Sequence, residues 1–305
     1  MKHKRIALIV PIFPQLSETF IVSKFLGLME RGWDVHIIVQ KFDPQAWAAY
    51  PQLKNNPSAR RRVHRTWPHQ PHWLAVLLFL PGLLFSLVTA PCSTLLYLRR
   101  GWARLGRRVL HQFYLDLPLI RLGPDVVHFE FGALAVGRTY LKELLGTHLS
   151  VSFRGYDLNF VALDNPAHYH EVWYTADACH FLSVHLWNRA QNRGCPADKP
   201  HMLIPPAINL ESYPEIQLKA PLTLGTSDQP LRILSVGRLE WKKGYEHALL
   251  AIKILMENGL HFQYNIIGDG DYSASLFFAR HQMGLEDMVS LQGALSHSMV
   301  IDRLS

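Results

Sequence analysis

The chain has 305 residues, of which 49% are hydrophobic and 18% are charged, a composition typical of a folded protein with room for two domains. Its formal net charge of +7 arises locally, because the segment from Pro44 to Leu115 contains Lys54 and nine arginines but no acidic residue. Cys92, Cys179 and Cys195 are too few and too scattered for a disulfide framework or a zinc site. The composition therefore excludes a disulfide-rich secreted domain and predicts a cytoplasmic protein with one basic region.

The N-terminal sequence predicts a strand, a helix and a second strand in succession. Arg5 to Val10 and Val35 to Gln40 are short apolar runs, and Ser17 is a candidate N-cap for the helix between them. This βαβ unit implies a parallel sheet. The loop after the first strand lacks the glycines of a dinucleotide-binding fingerprint, which argues against an NAD-dependent oxidoreductase. The start of the helix is expected to face another ligand, through Ser17, Glu18 and Thr19.

Arginines surround a markedly apolar segment of the first half. No charged residue occurs from Trp73 to Leu98, while arginines cluster on both sides of it between residues 60 and 108. Two prolines interrupt the segment and both flanks are positive, which disfavours a single membrane crossing. The pattern favours an insert at about 58–110 that forms an apolar helical hairpin on an anionic membrane surface. A buried helical insert and a spanning helix are the alternatives.

After the insert, the alternation of strands and helices resumes and completes an N-terminal domain of residues 1–213. Its further predicted strands cover residues 125–131, 149–153, 179–183 and 201–204. His128, Glu130, Arg154 and Asp157 lie near the carboxyl ends of two of these strands. Open parallel sheets bind ligands at that edge, so these four residues are candidate site residues.

A linker at 214–230, rich in Pro, Thr, Ser and Gly, precedes a second α/β domain at 231–305. The second domain opens with SVGRLEWKKG, residues 235–244, which predicts a strand, a basic turn and a helix. Such a junction presents free backbone N–H groups and the positive end of a helix dipole to an anion. The turn Gly268–Asp269–Gly270 follows the next predicted strand.

Five motifs carry a resemblance to a known family: GRLEWKKG, IIGDG, PIFPQLSETFI, HFEFG and SFRGYDL. With them, the chain resembles a family 4 glycosyltransferase of the GT-B fold, of the type that assembles bacterial polysaccharides. The resemblance spans nearly the whole chain. It implies an α/β fold with two Rossmann-like parallel-sheet domains that face a cleft. It also implies a hexosyltransferase whose N-terminal domain binds a glycan acceptor, often lipid-linked, and whose C-terminal domain binds a nucleotide-sugar donor. Transfer with retention, without a metal or other cofactor, is the reaction that the resemblance implies.

The resemblance also implies roles for single residues. Arg238 and Lys243 match the pair that neutralises the donor diphosphate, and glycines let the backbone approach the donor at Gly237, Gly268 and Gly270. Arg154 and Asp157 are the catalytic candidates, although Arg154 replaces the histidine usual in the family and cannot act as a general base. The acceptor candidates are Ser17, Glu18, Thr19, His128 and Glu130.

The chain also departs from the family pattern. The Glu-x7-Glu element that contacts the donor sugar has no match after Gly270, so the second domain is expected to be incomplete and the transferase activity weak or absent. The leading hypothesis is a glycosyltransferase of cell-surface polysaccharide biosynthesis, peripheral on the inner face of the plasma membrane. The alternative is an inactive remnant that acts as a membrane-bound or sugar-binding module. A sugar-nucleotide epimerase and a nucleic-acid-binding protein are disfavoured, because an apolar, arginine-flanked insert suits a bilayer better.

Overall fold

The computed structural model describes residues 4–67, 72–207 and 225–304. The chain divides into two compact units, unit 1 (Met1–Ala207) and unit 2 (Ile208–Ser305). Most of the predicted linker, residues 214–224, lies outside the described residues, and residues 225–229 form bends. Each unit has a parallel sheet and a hydrophobic core of its own.

The sheet of unit 1 consists of β1 (Arg5–Phe13), β2 (Asp34–Phe42), β3 (Val63–Arg65), β4 (Val126–Phe129), β5 (His148–Phe153), β6 (Ala178–Phe181) and β7 (His201–Leu203). Its strands are all parallel and lie in the order β3-β2-β1-β4-β5-β6-β7. The chain therefore builds the sheet outward in both directions from the β1–β4 pair. In sheets of this kind the crevice at the carboxyl ends of such a pair is the usual ligand site.

Helices cover both faces of this sheet. They are α1 (Thr19–Glu30), α2 (Pro44–Ala49), α3 (Pro51–Lys54), α4 (Pro57–Arg61), α5 (His72–Thr89), α6 (Pro91–Leu105), α7 (Arg108–Leu122), α8 (Gly132–Ala135), α9 (Leu141–Leu145), α10 (Gly155–Asn159), α11 (His170–Thr175) and α12 (Val184–Gln191). The alternation of side chains along β1 creates two cores. Ala7 and Ile9 belong to one core, and Leu8 and Val10 belong to the other.

The predicted insert is a group of three helices, α5 to α7, and extends further along the chain than residue 110. Helix α7 is the inner member, with Val109, Phe113 and Leu117 in the core. Helices α5 and α6 both contact α7 and form a hairpin that reverses at Ala90. Among the described residues, no helix is both long enough and apolar enough to cross a membrane.

Unit 2 contains a three-stranded parallel sheet. Its elements are β8 (Leu231–Val236), α13 (Tyr245–Glu257), β9 (Phe262–Ile267), α14 (Ser273–Gln282), β10 (Val289–Leu291) and α15 (His297–Leu304). The strand order is β10-β9-β8. Leu249 and Ile252 of α13 pack against the sheet residues Tyr264 and Ile266, so the apolar face of this helix covers the sheet.

The structure differs from the sequence pattern in three local features. Ser17 does not cap α1 as predicted, because the helix begins at Thr19 and Glu18 occupies the cap position without a side-chain hydrogen bond. The segment from Gly132 to Leu145 is divided into α8 and α9, because Gly137 turns the chain with a φ of 71°. Strand β3 was not predicted, because it has only three residues, lies at the sheet edge and is flanked by arginines that hide its apolar pattern.

Candidate active site

Glu130 is the centre of a charged cluster at the carboxyl edge of the unit 1 sheet. It follows β4 directly, and its side chain is completely buried. Lys24 Nζ, from α1, donates to Glu130 Oε1 at 2.7 Å, and Arg154 Nη2, after β5, donates to Oε2 at 3.0 Å. Arg154 Nε also donates to the Glu130 carbonyl oxygen at 3.1 Å. One buried carboxylate therefore orients two cations at the β1–β4 crevice.

The charges in this cluster offset the cost of burial. Burial raises the pKa of Glu130, but His128, Lys24 and Arg154 lower it by more, so the carboxylate stays ionised. Burial lowers the pKa of Arg154, and the Glu130 charge opposes that change. An arginine remains protonated under these conditions. Arg154 therefore stays positively charged and cannot take a proton from an acceptor.

His128 belongs to a polar ladder that crosses three strands. Its Nδ1 lies 2.8 Å from Ser150 Oγ, and its Nε2 lies 3.0 Å from Ser152 Oγ. Ser152 Oγ in turn lies 2.8 Å from Nδ1 of His180 on β6. Burial lowers the pKa of His128 to about 4, with Lys24 and Arg154 adding to the fall and Glu130 opposing it. His128 is therefore a neutral imidazole at pH 7, held by hydroxyl groups on both sides.

The low pKa of His128 predicts a loss of stability in mild acid. The unfolded chain, with a histidine pKa near 6.5, takes up a proton before the folded chain does, so the free energy of unfolding falls as the pH drops from about 6.5 to about 4. The contribution of His128 to this fall is up to about 3 kcal/mol. His128→Asn should make the unfolding free energy less dependent on pH in this window, as measured by urea titration at several pH values.

The control for this experiment is His185→Asn, which removes an exposed histidine of α12. His64→Asn should remove a separate share, because burial and the neighbouring His36 also lower the pKa of His64 to about 4. An unchanged slope in His128→Asn would show that His128 does not titrate differently in the folded and unfolded chains.

Asp157 holds the start of α10 in place. Its side chain is buried, Oδ2 accepts from the Arg154 backbone N–H at 2.9 Å, and Oδ1 accepts from the Ala133 N–H at 3.0 Å. Burial raises the pKa of Asp157, while the backbone N–H groups oppose the rise. The carboxylate thus joins the turns that follow β4 and β5. The geometry gives it a positioning role, and its direct contact with a substrate stays a prediction.

The stretch Ser17–Glu18–Thr19 reaches the cluster only in part. Ser17 and Thr19 are exposed. The charge of Glu18 acts on Arg154, raising its pKa. The Arg154 guanidinium lies 3.8 Å from the centre of the Phe20 ring, a cation–π contact. The first turn of α1 therefore packs against Arg154.

The structure brings together four of the residues that the sequence singled out, His128, Glu130, Arg154 and Asp157. Sequence reasoning missed Lys24, Ser152 and His180. A signal for the last two exists, because polar residues occupy paired positions on adjacent strands: His128 pairs with Ser150, and Ser152 pairs with His180. Lys24 gives no such signal, since a lysine on an amphipathic helix ordinarily faces solvent.

In unit 2, two glycine turns lie in close contact beyond the carboxyl ends of β8 and β9. A Cβ atom on Gly268 would fall 1.9 Å from the Gly237 carbonyl oxygen, and one on Gly270 would fall 2.3 Å from that of Leu239. The Leu239 N–H donates to the Asp269 carbonyl oxygen at 3.0 Å. Larger side chains are therefore excluded at both positions, because the two turns pack backbone against backbone; that these glycines let the backbone approach the donor stays a prediction.

The basic turn after β8 carries a net positive charge. Glu240 forms ion pairs with Arg238 (Oε1 to Nη1) and with Lys242 (Oε2 to Nζ), each at 2.6 Å. Hydrogen bonding to Lys242 and the charge of Arg238 lower the pKa of Glu240. Lys243 is exposed, and its ammonium group makes no ion pair within the described part of unit 2. One carboxylate against three cations leaves a surplus that favours an anion.

Helix α13 begins immediately after this turn. Gly244 is its N-cap, with a φ of 71°, and the first bond of the helix runs from the Ala248 N–H to the Gly244 carbonyl oxygen. The N–H groups of the first turn precede this bond and point along the helix axis, where they carry the positive end of the dipole. A phosphate group fits such a position beside Arg238 and Lys243.

Comparisons with known proteins agree with this geometry. The model of the family described as "Glycosyl transferases group 1" matches residues 222–305, which include both glycine turns and the basic turn. A putative colanic acid biosynthesis glycosyltransferase, WcaL of Escherichia coli, is 27% identical over 92% of this chain and 68% of its own length. The amylovoran biosynthesis glycosyltransferase AmsK of Erwinia amylovora is 30% identical over the same shares of the two chains.

A solved structure shares the fold. Anabaena Alr3699/HepE in complex with UDP-glucose superimposes with a TM-score of 0.59 at 12% identity, over 96% of this chain and 70% of that one. The predicted α/β, GT-B fold class is confirmed, and so is the prediction of a glycosyltransferase similar to those of bacterial polysaccharide biosynthesis. The family model matches these turns, and a glycosyltransferase relative is similar over most of the length of the chain. The chain therefore belongs to the group 1 glycosyl transferases.

Proposed function

We propose that the chain takes part in the transfer of a hexose from a nucleotide-sugar donor to a glycan acceptor in exopolysaccharide biosynthesis. The observation that carries this proposal is the pair of interlocked glycine turns beside Arg238 and Lys243, within the part of the chain that the family model matches. The relatives are named for colanic acid and amylovoran biosynthesis, and HepE binds UDP-glucose. These names support a cell-surface glycan as the product and a nucleoside diphosphate as the leaving group.

In the proposed reaction, the bond between the anomeric carbon and the donor phosphate breaks while a bond to the acceptor oxygen forms. Arg238 and Lys243 would stabilise the negative charge that develops on the departing diphosphate. Arg154 cannot act as a base, and Asp157 is occupied by backbone N–H groups. We therefore propose retention, with the departing phosphate taking the acceptor proton on the same face of the sugar, and no metal in the step.

The proposed place of action is the inner face of the plasma membrane, where nucleotide sugars are supplied and lipid-linked glycans are assembled. In unit 1, the cations that Glu130 orients would contact the acceptor, with Ser17, Glu18, Thr19 and His128 around them. The fixed positive charge of Lys24 and Arg154 suits an acceptor that carries a phosphate, as a lipid-linked glycan does.

The experiment is a transfer assay with the chain, a bacterial glycolipid extract and a panel of UDP-, GDP- and ADP-hexoses. Incorporation of labelled sugar into the lipid fraction, unaffected by EDTA, is the expected result. The configuration of the new glycosidic bond, read by NMR, tests retention. No transfer and no binding of UDP, GDP or ADP would contradict the proposal.

A second candidate function is a sugar-binding or membrane-bound module without catalysis. It is favoured by Arg154 and Asp157, because an arginine stays protonated and the Asp157 carboxylate is held by backbone N–H groups. Nucleotide binding without transfer for every donor in the panel would select this candidate, because the anion site would then be present without the chemistry.

A further inference from the structure

Helix α5 exposes a continuous apolar stripe. Trp73, Leu77, Leu80, Leu84 and Val88 recur at helical spacing along one side, and each is more than half exposed, from 55% at Leu84 to 83% at Val88. The opposite side of the helix is packed against the unit 1 core, through Leu78, Phe79 and Leu83. The helix therefore has two apolar sides, of which the fold of unit 1 uses one.

Helix α6 extends this surface. Leu95, Leu96 and Trp102 are exposed on it, and Leu95 and Leu96 follow the reversal that joins it to α5. The two helices are locked together near that reversal, because the hydroxyl groups of Ser86 and Thr94 are fully buried and lie 2.7 Å apart. We call the surface formed by Trp73, Leu77, Leu80, Leu84, Val88, Leu95 and Leu96 the hairpin face.

The charges near the hairpin face are positive. Arg99, Arg107 and Arg108 are exposed on α6 and at the start of α7, and the sequence has no acidic residue from Pro44 to Leu115. Arg104 differs from these arginines because it forms an ion pair with Glu143, in which its Nε lies 3.3 Å from Oε2. The remaining arginines offer positive charge to an anionic surface that covers the hairpin face.

We infer that the hairpin face docks on a bilayer that contains anionic phospholipid, with its side chains in the interface and the arginines on the headgroups. Charge decides against a second copy of the chain, because two such faces would bring their arginines together. This inference deepens the proposed place of action at the membrane, and it is independent of the proposed sugar transfer. Vesicle binding can be present or absent whatever the nucleotide chemistry of unit 2.

The test is flotation of the purified chain with vesicles of phosphatidylcholine, alone or mixed with phosphatidylglycerol. We expect binding to the mixed vesicles that weakens in high salt. The combined variant Leu77→Ser, Leu80→Ser, Leu84→Ser, Val88→Ser should lower partitioning at least about tenfold, since each change withdraws apolar surface from the bilayer. The matched control is Leu250→Ser with Ile254→Ser, which alters two exposed side chains of α13 in unit 2.

A second variant separates charge from apolar contact. Arg99→Gln, Arg107→Gln and Arg108→Gln together should weaken binding to the mixed vesicles and abolish most of its salt dependence. The thermal unfolding of both variants should match that of the wild type, because every changed side chain is exposed. A single substitution gives a further measurement. Trp73→Phe should reduce the shift in tryptophan fluorescence that the wild type shows when vesicles are added, whereas Trp33→Phe should not.

Three results would overturn the inference. The first is wild-type protein that stays at the bottom of the gradient with the mixed vesicles. The second is a serine variant that is folded and floats as well as the wild type. The third is a stable wild-type dimer that the serine substitutions dissociate without changing flotation, which would assign the hairpin face to a second copy.

Discussion

Replacing Asp116 by alanine should lower the free energy of unfolding of unit 1 by about 3–5 kcal/mol, and its melting temperature by roughly 10 °C. Asp116, on α7, is completely buried and accepts Arg138 Nη2 at 2.7 Å. It also accepts the hydroxyl groups of Tyr97 at 2.9 Å and Tyr140 at 2.8 Å. Without the carboxylate, a mostly buried guanidinium and the Tyr97 hydroxyl lose their acceptor, and the Tyr140 hydroxyl is left with Gln112 Oε1 at 2.8 Å.

Matched variants separate the parts of this effect. Tyr97→Phe and Tyr140→Phe should each cost less, about 1.5–3 kcal/mol, since each removes one hydrogen bond to the carboxylate and leaves the ion pair intact. Asp164→Ala, which changes an exposed aspartate, controls for the loss of an acidic residue. Chemical denaturation gives the comparison. If Asp116→Ala unfolds at the same denaturant concentration as the wild type, the carboxylate does not anchor α7 to α6 and to the turn before α9.

Asp116 also illustrates a limit of prediction from the sequence. It is the first acidic residue after the long basic segment, and an aspartate in a helix is ordinarily exposed. Its partners Tyr97 and Arg138 are distant in the chain, and only the packing of α6, α7 and the α8–α9 turn brings them together. Periodicity predicts that a helix exists and which side is apolar, but it carries no information on which polar groups meet inside.

The parallel sheets were predictable because buried strands in α/β folds are short apolar runs, and β1, β2, β8 and β9 are such runs. The α5–α6 hairpin was predictable from the two prolines that interrupt the apolar segment and from the absence of charged residues in it. The strand β3 was not predictable, because only Val63 among its three residues is apolar and buried.

For the unit 1 site, the sequence predicted where the site residues lie better than it predicted what each of them does. Residues at strand ends were expected to converge, and His128, Glu130, Arg154 and Asp157 do. Exposure was not predictable: Glu130, expected to contact the acceptor, is completely buried, and its side chain pairs with Lys24, His128 and Arg154. A motif specifies which residue types lie near a site, whereas burial decides which of them a ligand can reach.

The basic turn of unit 2 carries the second large effect. Arg238 is more than half exposed and its only ion pair among the described residues is with Glu240, so a diphosphate must compete with one carboxylate for it. Lys243 has no such competitor within the described residues, but it is a flexible point charge, whereas a guanidinium can donate two hydrogen bonds to one phosphate. Arg238 should therefore contribute more to the affinity than Lys243.

Arg238→Ala should weaken the binding of UDP, or of whichever nucleoside diphosphate binds most tightly, by about tenfold to a hundredfold, since a charge-assisted hydrogen bond contributes about 1.5–3 kcal/mol. Lys243→Ala should weaken it less, and the double variant should bind with little dependence on salt. Titration calorimetry with UDP, GDP and ADP gives the affinities. Arg232→Ala is the matched control, because Arg232 is an exposed arginine at the opposite end of β8. Wild-type affinity in the Arg238→Ala, Lys243→Ala double variant would place the nucleotide elsewhere, and the proposed donor site would then be wrong even though the family is right.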